Sequence, residues 1–171
     1  MGKTYKNFFN KLNNSIPLII LFYLCFSDVN TEFQHLHFLS FNLQYVLVYY
    51  WVLKNPKIFG YGFIFLAGVI NDVVLGLPMG VSSLSYLTIA SVAAYIRVVT
   101  VRASLASDWI AFIPAVLTSN AVYIIALSIF SNLTINYINL LTNSLITFIF
   151  YPLAWLMFEI LNNYTQINKN A

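Results

Sequence analysis

Asp72 is the one acid of this sequence set well inside an apolar run. It lies in the frame Gly68-x-x-x-Asp72-x-x-x-Gly76-x-x-x-Gly80, with Pro78 between the last two glycines. An ionisable side chain in such a stretch is costly and faces a protein partner rather than an apolar surround. Two kinds of chemistry are open to it. It can contact a ligand or a partner. It can also act as a structural lock, accepting hydrogen bonds from backbone donors freed at a following turn, or from Ser82 or Ser83. Positions four apart stack on one helix face, so Gly68 and Gly76 would admit a second helix on either side of Asp72. Proline is well suited to the first helical position, so Pro78 is expected to open the next helix after a tight Gly76-Leu77-Pro78 turn.

Other polar residues recur at helical spacing: Asn136, Asn139, Asn143 and Thr147; Thr118, Ser119 and Asn120; Ser82, Ser85, Thr88 and Ser91. Such faces line a small cavity or serve as interhelical hydrogen bonds that hold a bundle together. Ala90 with Ala94 and Ala111 with Ala115 offer small contact faces, and Pro114 and Pro152 each remove one helical hydrogen bond. His35-x-His37 has only Glu32 nearby, too few ligands for structural zinc. Cys25, the single cysteine, reads as a small buried hydrophobe. There is no HExxH, phosphate loop, paired intramembrane aspartate or convergent Ser, His and acid. The residues therefore predict no catalytic site, no metal and no cofactor.

The elements that carry these residues follow from composition. Of 171 residues, 60% are hydrophobic and 8% charged, against about 25% charged in an ordinary soluble domain. Mean hydropathy is +0.79. That excludes a typical soluble enzyme, a disordered chain and a disulfide scaffold. The eight basic residues are scattered singly, which argues against nucleic acid despite a net charge of +3.

A membrane helix needs roughly 20 mostly apolar residues. Six candidates are read: Ser15 to Ser27, Leu36 to Leu53, Ile58 to Leu75, Pro78 to Ile96, Asp108 to Phe130 and Tyr137 to Asn162. Runs such as Tyr45 to Leu53 do not alternate, which disfavours a β-barrel. The first segment follows Lys3, Lys6 and Lys11 and lacks a small-x-small cleavage site, so it reads as an uncleaved signal anchor. With six passes, Lys54, Lys57, Arg97, Arg102 and Lys169 join those lysines on one side, and the opposite loops contain no Lys or Arg. That is the positive-inside pattern, and it predicts cytoplasmic termini. Asp108 or Ser107 is expected to cap the fifth segment. Tyr49, Tyr50, Trp51, Trp109 and Trp155 are expected in interfacial belts. The expectation is an all-α bundle of six transmembrane helices forming a single domain over residues 1–171.

A family resemblance rests on Tyr50-Trp51-Val52-Leu53-Lys54-Asn55-Pro56, on Gly68 through Gly80 with Asp72 and Pro78, on Leu84-Ser85-Tyr86-Leu87, and on Tyr151-Pro152-Leu153. In order and spacing these resemble the bacterial rod shape-determining MreD family. The resemblance implies a non-catalytic inner-membrane subunit of the cell-elongation complex that helps organise lateral peptidoglycan synthesis. The partners it implies are an MreC-like bitopic protein, an MreB-like actin homologue, and a RodA-like polymerase with its transpeptidase. The residues singled out for structure or partner contact are Gly68, Asp72, Gly76, Pro78, Gly80, Asn120, Asn143 and Pro152. The family also resembles, in architecture, the substrate-binding S components of energy-coupling-factor vitamin transporters. That alternative would call for an Ala-x-x-x-Ala element in the first span, whereas here the nearest equivalent is Ala90 with Ala94.

Overall fold

A computed structural model describes residues 15–26, 42–56, 59–100, 104–131 and 136–170, with side chains as far as Asn163. Every element among these residues is helical: α1 Ser15–Phe26, α2 Leu43–Lys54, α3 Tyr61–Leu75, α4 Val81–Val99, α5 Leu105–Phe130 and α6 Tyr137–Asn170. The histidine pair, the terminal lysines, Lys57, Arg102 and the start of the second candidate span lie outside the described residues, as does the Lys169 side chain.

The centre of the bundle is α2. From Tyr45 to Val52 eight consecutive residues are buried, the mark of a helix apolar on every face and surrounded on all of them. Its neighbours are fixed by ring contacts and hydrogen bonds. Tyr45 meets Tyr86 of α4 edge-on at 5.7 Å. Tyr49, Phe112 of α5 and Tyr151 of α6 form a cluster with centroids 4.6 to 5.9 Å apart. Gln44 Nε2 donates to the Leu24 carbonyl of α1. The tyrosines and tryptophan of α2 are therefore core: Tyr49, Tyr50 and Trp51 are at most 1% exposed. The interfacial expectation fails for these three because other helices enclose α2.

The same contacts give the helix directions. Asn42 pairs with Thr147 and Asn55 with Asn162, so α2 and α6 run parallel. Ser119 of α5 bonds Ser85 of α4, and Leu127 packs with Val81, so these two are antiparallel. Lys54 and Arg97 end α2 and α4 at one end of the bundle, and the α3–α4 turn lies at the other.

Among the described residues three helices are long and apolar enough to cross a membrane: Val81–Val99, Leu105–Phe130 and Tyr137–Asn163. At 1.5 Å per residue they measure about 28, 39 and 40 Å against a hydrocarbon core of about 30 Å. By the same rise, α1 and α2 reach about 18 Å and α3 about 22 Å.

Helix boundaries depart from the sequence reading at four starts: α2 begins at Leu43, after the non-helical Asn42, rather than at Leu36, and α3 at Tyr61, after the extended Gly60, rather than at Ile58. Helix α4 begins at Val81 rather than Pro78, because Gly80 adopts φ +107°, which no continuing right-handed helix allows. Helix α5 begins at Leu105 rather than Asp108. Ser104 caps it, its hydroxyl accepting from the Ser107 amide at 3.2 Å. Asp108 falls in the first turn, where a carboxylate complements the helix dipole. Both long helices run through their prolines.

Candidate functional site

The α3–α4 hairpin gathers most of the residues singled out from the sequence. Helix α3 ends in a Schellman motif. Gly76 takes the left-handed conformation at φ +64°. The Leu77 amide donates to the Asp72 carbonyl at 2.9 Å, and the Gly76 amide to that of Val73 at 3.3 Å. The chain then turns through Pro78, whose carbonyl accepts from the Val81 amide, and reaches Gly80 at the start of α4.

Gly80 has no side chain with which to cap α4. The cap comes from the preceding helix instead. Asp72 is fully buried, and its Oδ2 accepts from the Gly80 amide and its Oδ1 from the Ser82 amide, each at 2.8 Å. A carboxylate thus occupies the N-terminus of α4, where unpaired N–H groups and the helix dipole both favour negative charge. Next to it Asn71 Nδ2 donates to Ser82 Oγ at 3.1 Å, and Ser83 Oγ donates to the Phe65 carbonyl at 3.0 Å.

The glycines serve different ends. A Cβ on Gly68 would stand 2.4 Å from Ser83 Cα and 2.6 Å from its nitrogen, so this position is where the two backbones cross. Gly76 has open space around its α-carbon. It is needed for its positive φ and not for close approach, which corrects the expectation of a helix contact there. The regular spacing of four was misleading because α3 ends before Gly76.

Asn120 and Pro152 belong to the contact between α5 and α6, and Asn143 to the tie between α6 and the start of α2. Asn120 Nδ2 donates to Ser144 Oγ at 2.6 Å. Thr147 Oγ1 donates to Asn143 and accepts from the Asn42 amide, tying α6 to the start of α2. Pro152 lacks the N–H that would bond the carbonyl of Phe148, four residues earlier. Trp109 of α5 takes that place: its Nε1 donates to the Phe148 carbonyl at 2.9 Å, and the two rings stack at 5.1 Å. The other polar stripes divide. Ser119 reaches across to α4, while Ser85, Thr88 and Ser91 bond carbonyls of their own helix.

A cavity of about 280 Å³ opens between these two groups. Helices α2, α3 and α4 line it with Asn42, Tyr45, Asn71, Ser82 and Tyr86. Helices α5 and α6 add Asn120, Tyr123, Asn139, Asn143, Ser144 and Thr147. Asn42, Asn71 and the tyrosines escaped the sequence reading as cavity residues because they are spread over α2, α3, α4 and α5. Only the fold brings them together.

A second polar set closes the opposite end. Tyr50 Oη donates to Glu159 Oε2 at 2.6 Å, Asn55 bonds Asn162, and Lys54 Nζ lies 5.4 Å from the centroid of Trp155. Asp108 Oδ2, Tyr151 Oη and Trp155 Nε1 are buried there without hydrogen-bond partners. Among the described residues no three His, Cys, Asp or Glu side chains gather as a metal site would need.

Long apolar helices around a largely buried central helix, with the buried acid Asp72 spent on a helix terminus, define an α-helical membrane protein. The chain belongs to the MreD family, that of the rod shape-determining protein MreD, whose model matches residues 10–165. No curated protein and no solved structure matches it. Its family role is the determination of rod shape, and hence of cell shape.

Proposed function

We propose that the chain is a non-catalytic inner-membrane subunit of the cell-elongation complex, a single six-span domain with both termini in the cytoplasm. The family match over residues 10–165 carries this reading. It brings an MreC-like bitopic protein, an MreB-like filament and a RodA-like polymerase with its transpeptidase as partners. The bundle supports it in two ways. Lys54 and Arg97 share the end opposite the Asp72 turn, as the positive-inside pattern requires. The short α2 is covered by its neighbours, so its length need not match the bilayer.

In this reading Gly68, Asp72, Gly76, Pro78 and Gly80 rigidify the outer hairpin. Asn120 and Pro152 hold α5 against α6, and Asn143 supports the tie from α6 to α2. The result is a stiff scaffold that recognises partners through helix faces and short turns. The cavity is the one observation that favours the alternative, an S component of a vitamin transporter. Against it, Ala90 is completely buried inside the bundle and not presented to a coupling subunit.

Co-purification from native membranes in a gentle detergent tests the proposal. Recovery of an MreC-like protein and a peptidoglycan polymerase is the expected result. Recovery of ATPase and coupling subunits in their place would overturn it.

A further inference from the structure

The cavity at the Asp72 end is lined by hydrogen-bonding side chains from five helices, with Leu75, Val116 and Leu140 between them, and among the described residues no Asp, Glu, Lys, Arg or His lines it. Asp72 stands beside it with both carboxylate oxygens engaged by α4. We propose that this cavity binds an uncharged, hydroxyl-rich group, either a free sugar or polyol or the head of a neutral glycolipid.

The amides of the lining are half used. Asn71 and Asn120 are engaged through Nδ2, which leaves each Oδ1 as an acceptor. Asn42 is engaged through Oδ1, which leaves its Nδ2 as a donor, and Asn143 keeps its Nδ2 as a donor while its Oδ1 receives only the longer, 3.3 Å arm of the Thr147 hydroxyl. An ammonium ligand would satisfy the acceptors and strand the donors. A phosphate or carboxylate would do the reverse and meet no cation among the described residues. An apolar group would strand both kinds, and each buried polar group left unpaired is costly. A hydroxyl donates and accepts at once, so a polyol answers both sets. The ring faces of Tyr45, Tyr86 and Tyr123 supply apolar surface for its C–H groups. The volume lies just under the range of drug-sized pockets, about 300–1,000 Å³, and suits one sugar ring rather than a chain of them. The internal bonds Asn71–Ser82 and Asn120–Ser144 hold the lining in place before any ligand arrives.

The proposal stands on the cavity alone and is independent of which proteins the bundle partners. Its test uses the full chain in phosphatidylcholine nanodiscs with three probes: free glucose, monoglucosyl diacylglycerol and phosphatidylglycerol. Thermal unfolding and native mass spectrometry give the readout. Glucose or the glucosyl lipid is expected to bind and raise the unfolding midpoint, and which of them does so identifies the source. Asn143→Leu is expected to weaken that binding about fivefold, or about 1 kcal/mol. Asn139→Ala alters a lining amide whose side chain makes no hydrogen bond among the described residues, so it keeps the test open if Asn143→Leu does not fold. It is expected to weaken binding about twofold, a smaller loss consistent with one hydrogen bond. The proposal is overturned if neither glucosyl probe shifts wild-type protein, if the folded variants bind as wild type does, or if phosphatidylglycerol binds with the same dependence on these asparagines.

Discussion

Replacing Gly68 with alanine tests the architecture of the α3–α4 hairpin most sharply. The new Cβ would stand 2.4 Å from Ser83 Cα and 2.6 Å from Ser83 N, both backbone atoms. Carbon atoms in contact rest about 3.5–4.0 Å apart, so the helices must separate by at least about 1 Å. That displacement reaches the neighbouring bonds. The two 2.8 Å bonds from Asp72 to α4 and the 3.0 Å bond from Ser83 to Phe65 would all stretch. Overpacking of this kind costs about 1–3 kcal/mol, and weakening a charged hydrogen bond about 1.5–3 kcal/mol more. The expected loss is therefore about 3–5 kcal/mol, since the two effects overlap in part. Gly62 lies in the same helix with no atom within 4 Å of its added Cβ. Gly62→Ala should be neutral or stabilising by up to about 1 kcal/mol through helix propensity. Both variants are compared by reversible unfolding in mixed micelles of mild detergent and dodecyl sulfate. Equal stability of Gly68→Ala and Gly62→Ala would refute the close crossing and the reasoning built on it.

Three further outcomes are expected. Asp72→Asn keeps one acceptor and should cost about 1–3 kcal/mol, while Asp72→Leu should cost more by stranding the Gly80 and Ser82 amides; folded yield by size-exclusion chromatography would show the order Asp, Asn, Leu. Gly76→Ala should lose about 1–2 kcal/mol despite the open space around it, and Gly76→Asn clearly less, because the left-handed φ and not crowding sets the cost. Trp109→Phe should lose about 1 kcal/mol by stranding the Phe148 carbonyl. Adding Pro152→Ala should recover part of that loss by returning an N–H to the same carbonyl, so thermal unfolding of the double variant should reveal coupling rather than additivity.

The class of fold was legible in the sequence because hydropathy and charge are properties of whole segments. The position of α5 and α6 could be read from their long apolar runs. The inner structure was not legible in the same way. Tyr49, Tyr50 and Trp51 have the composition of an interfacial belt, and only the enclosure of α2 by its neighbours makes them core. The Gly68–Gly80 frame was visible as a pattern, yet its four positions do separate jobs: a crossing, a helix end, a turn and a helix start. Spacing alone does not carry a change in backbone direction. Asp72 was readable as an acid in need of donors, whereas its pairing with the amides of Gly80 and Ser82 depends on the turn folding first. The pairing of Trp109 with the Phe148 carbonyl that Pro152 leaves free joins residues 39 apart in sequence, and nothing local announces it.

The central helix has a consequence for the order of synthesis. Gln44 finds its acceptor in the earlier Leu24, but three other polar contacts of α2 are closed by residues that emerge much later. Tyr49 waits for the backbone of Asp108, the Asn42 amide for Thr147, and Tyr50 for Glu159, separations of 59, 105 and 109 residues. At about 5–20 residues per second a ribosome needs roughly 5–20 s to cover the longer gaps. Over that interval the Tyr49 and Tyr50 hydroxyls still lack their final acceptors. The nascent chain therefore passes through a half-built state, and only arrival of the last helix closes it.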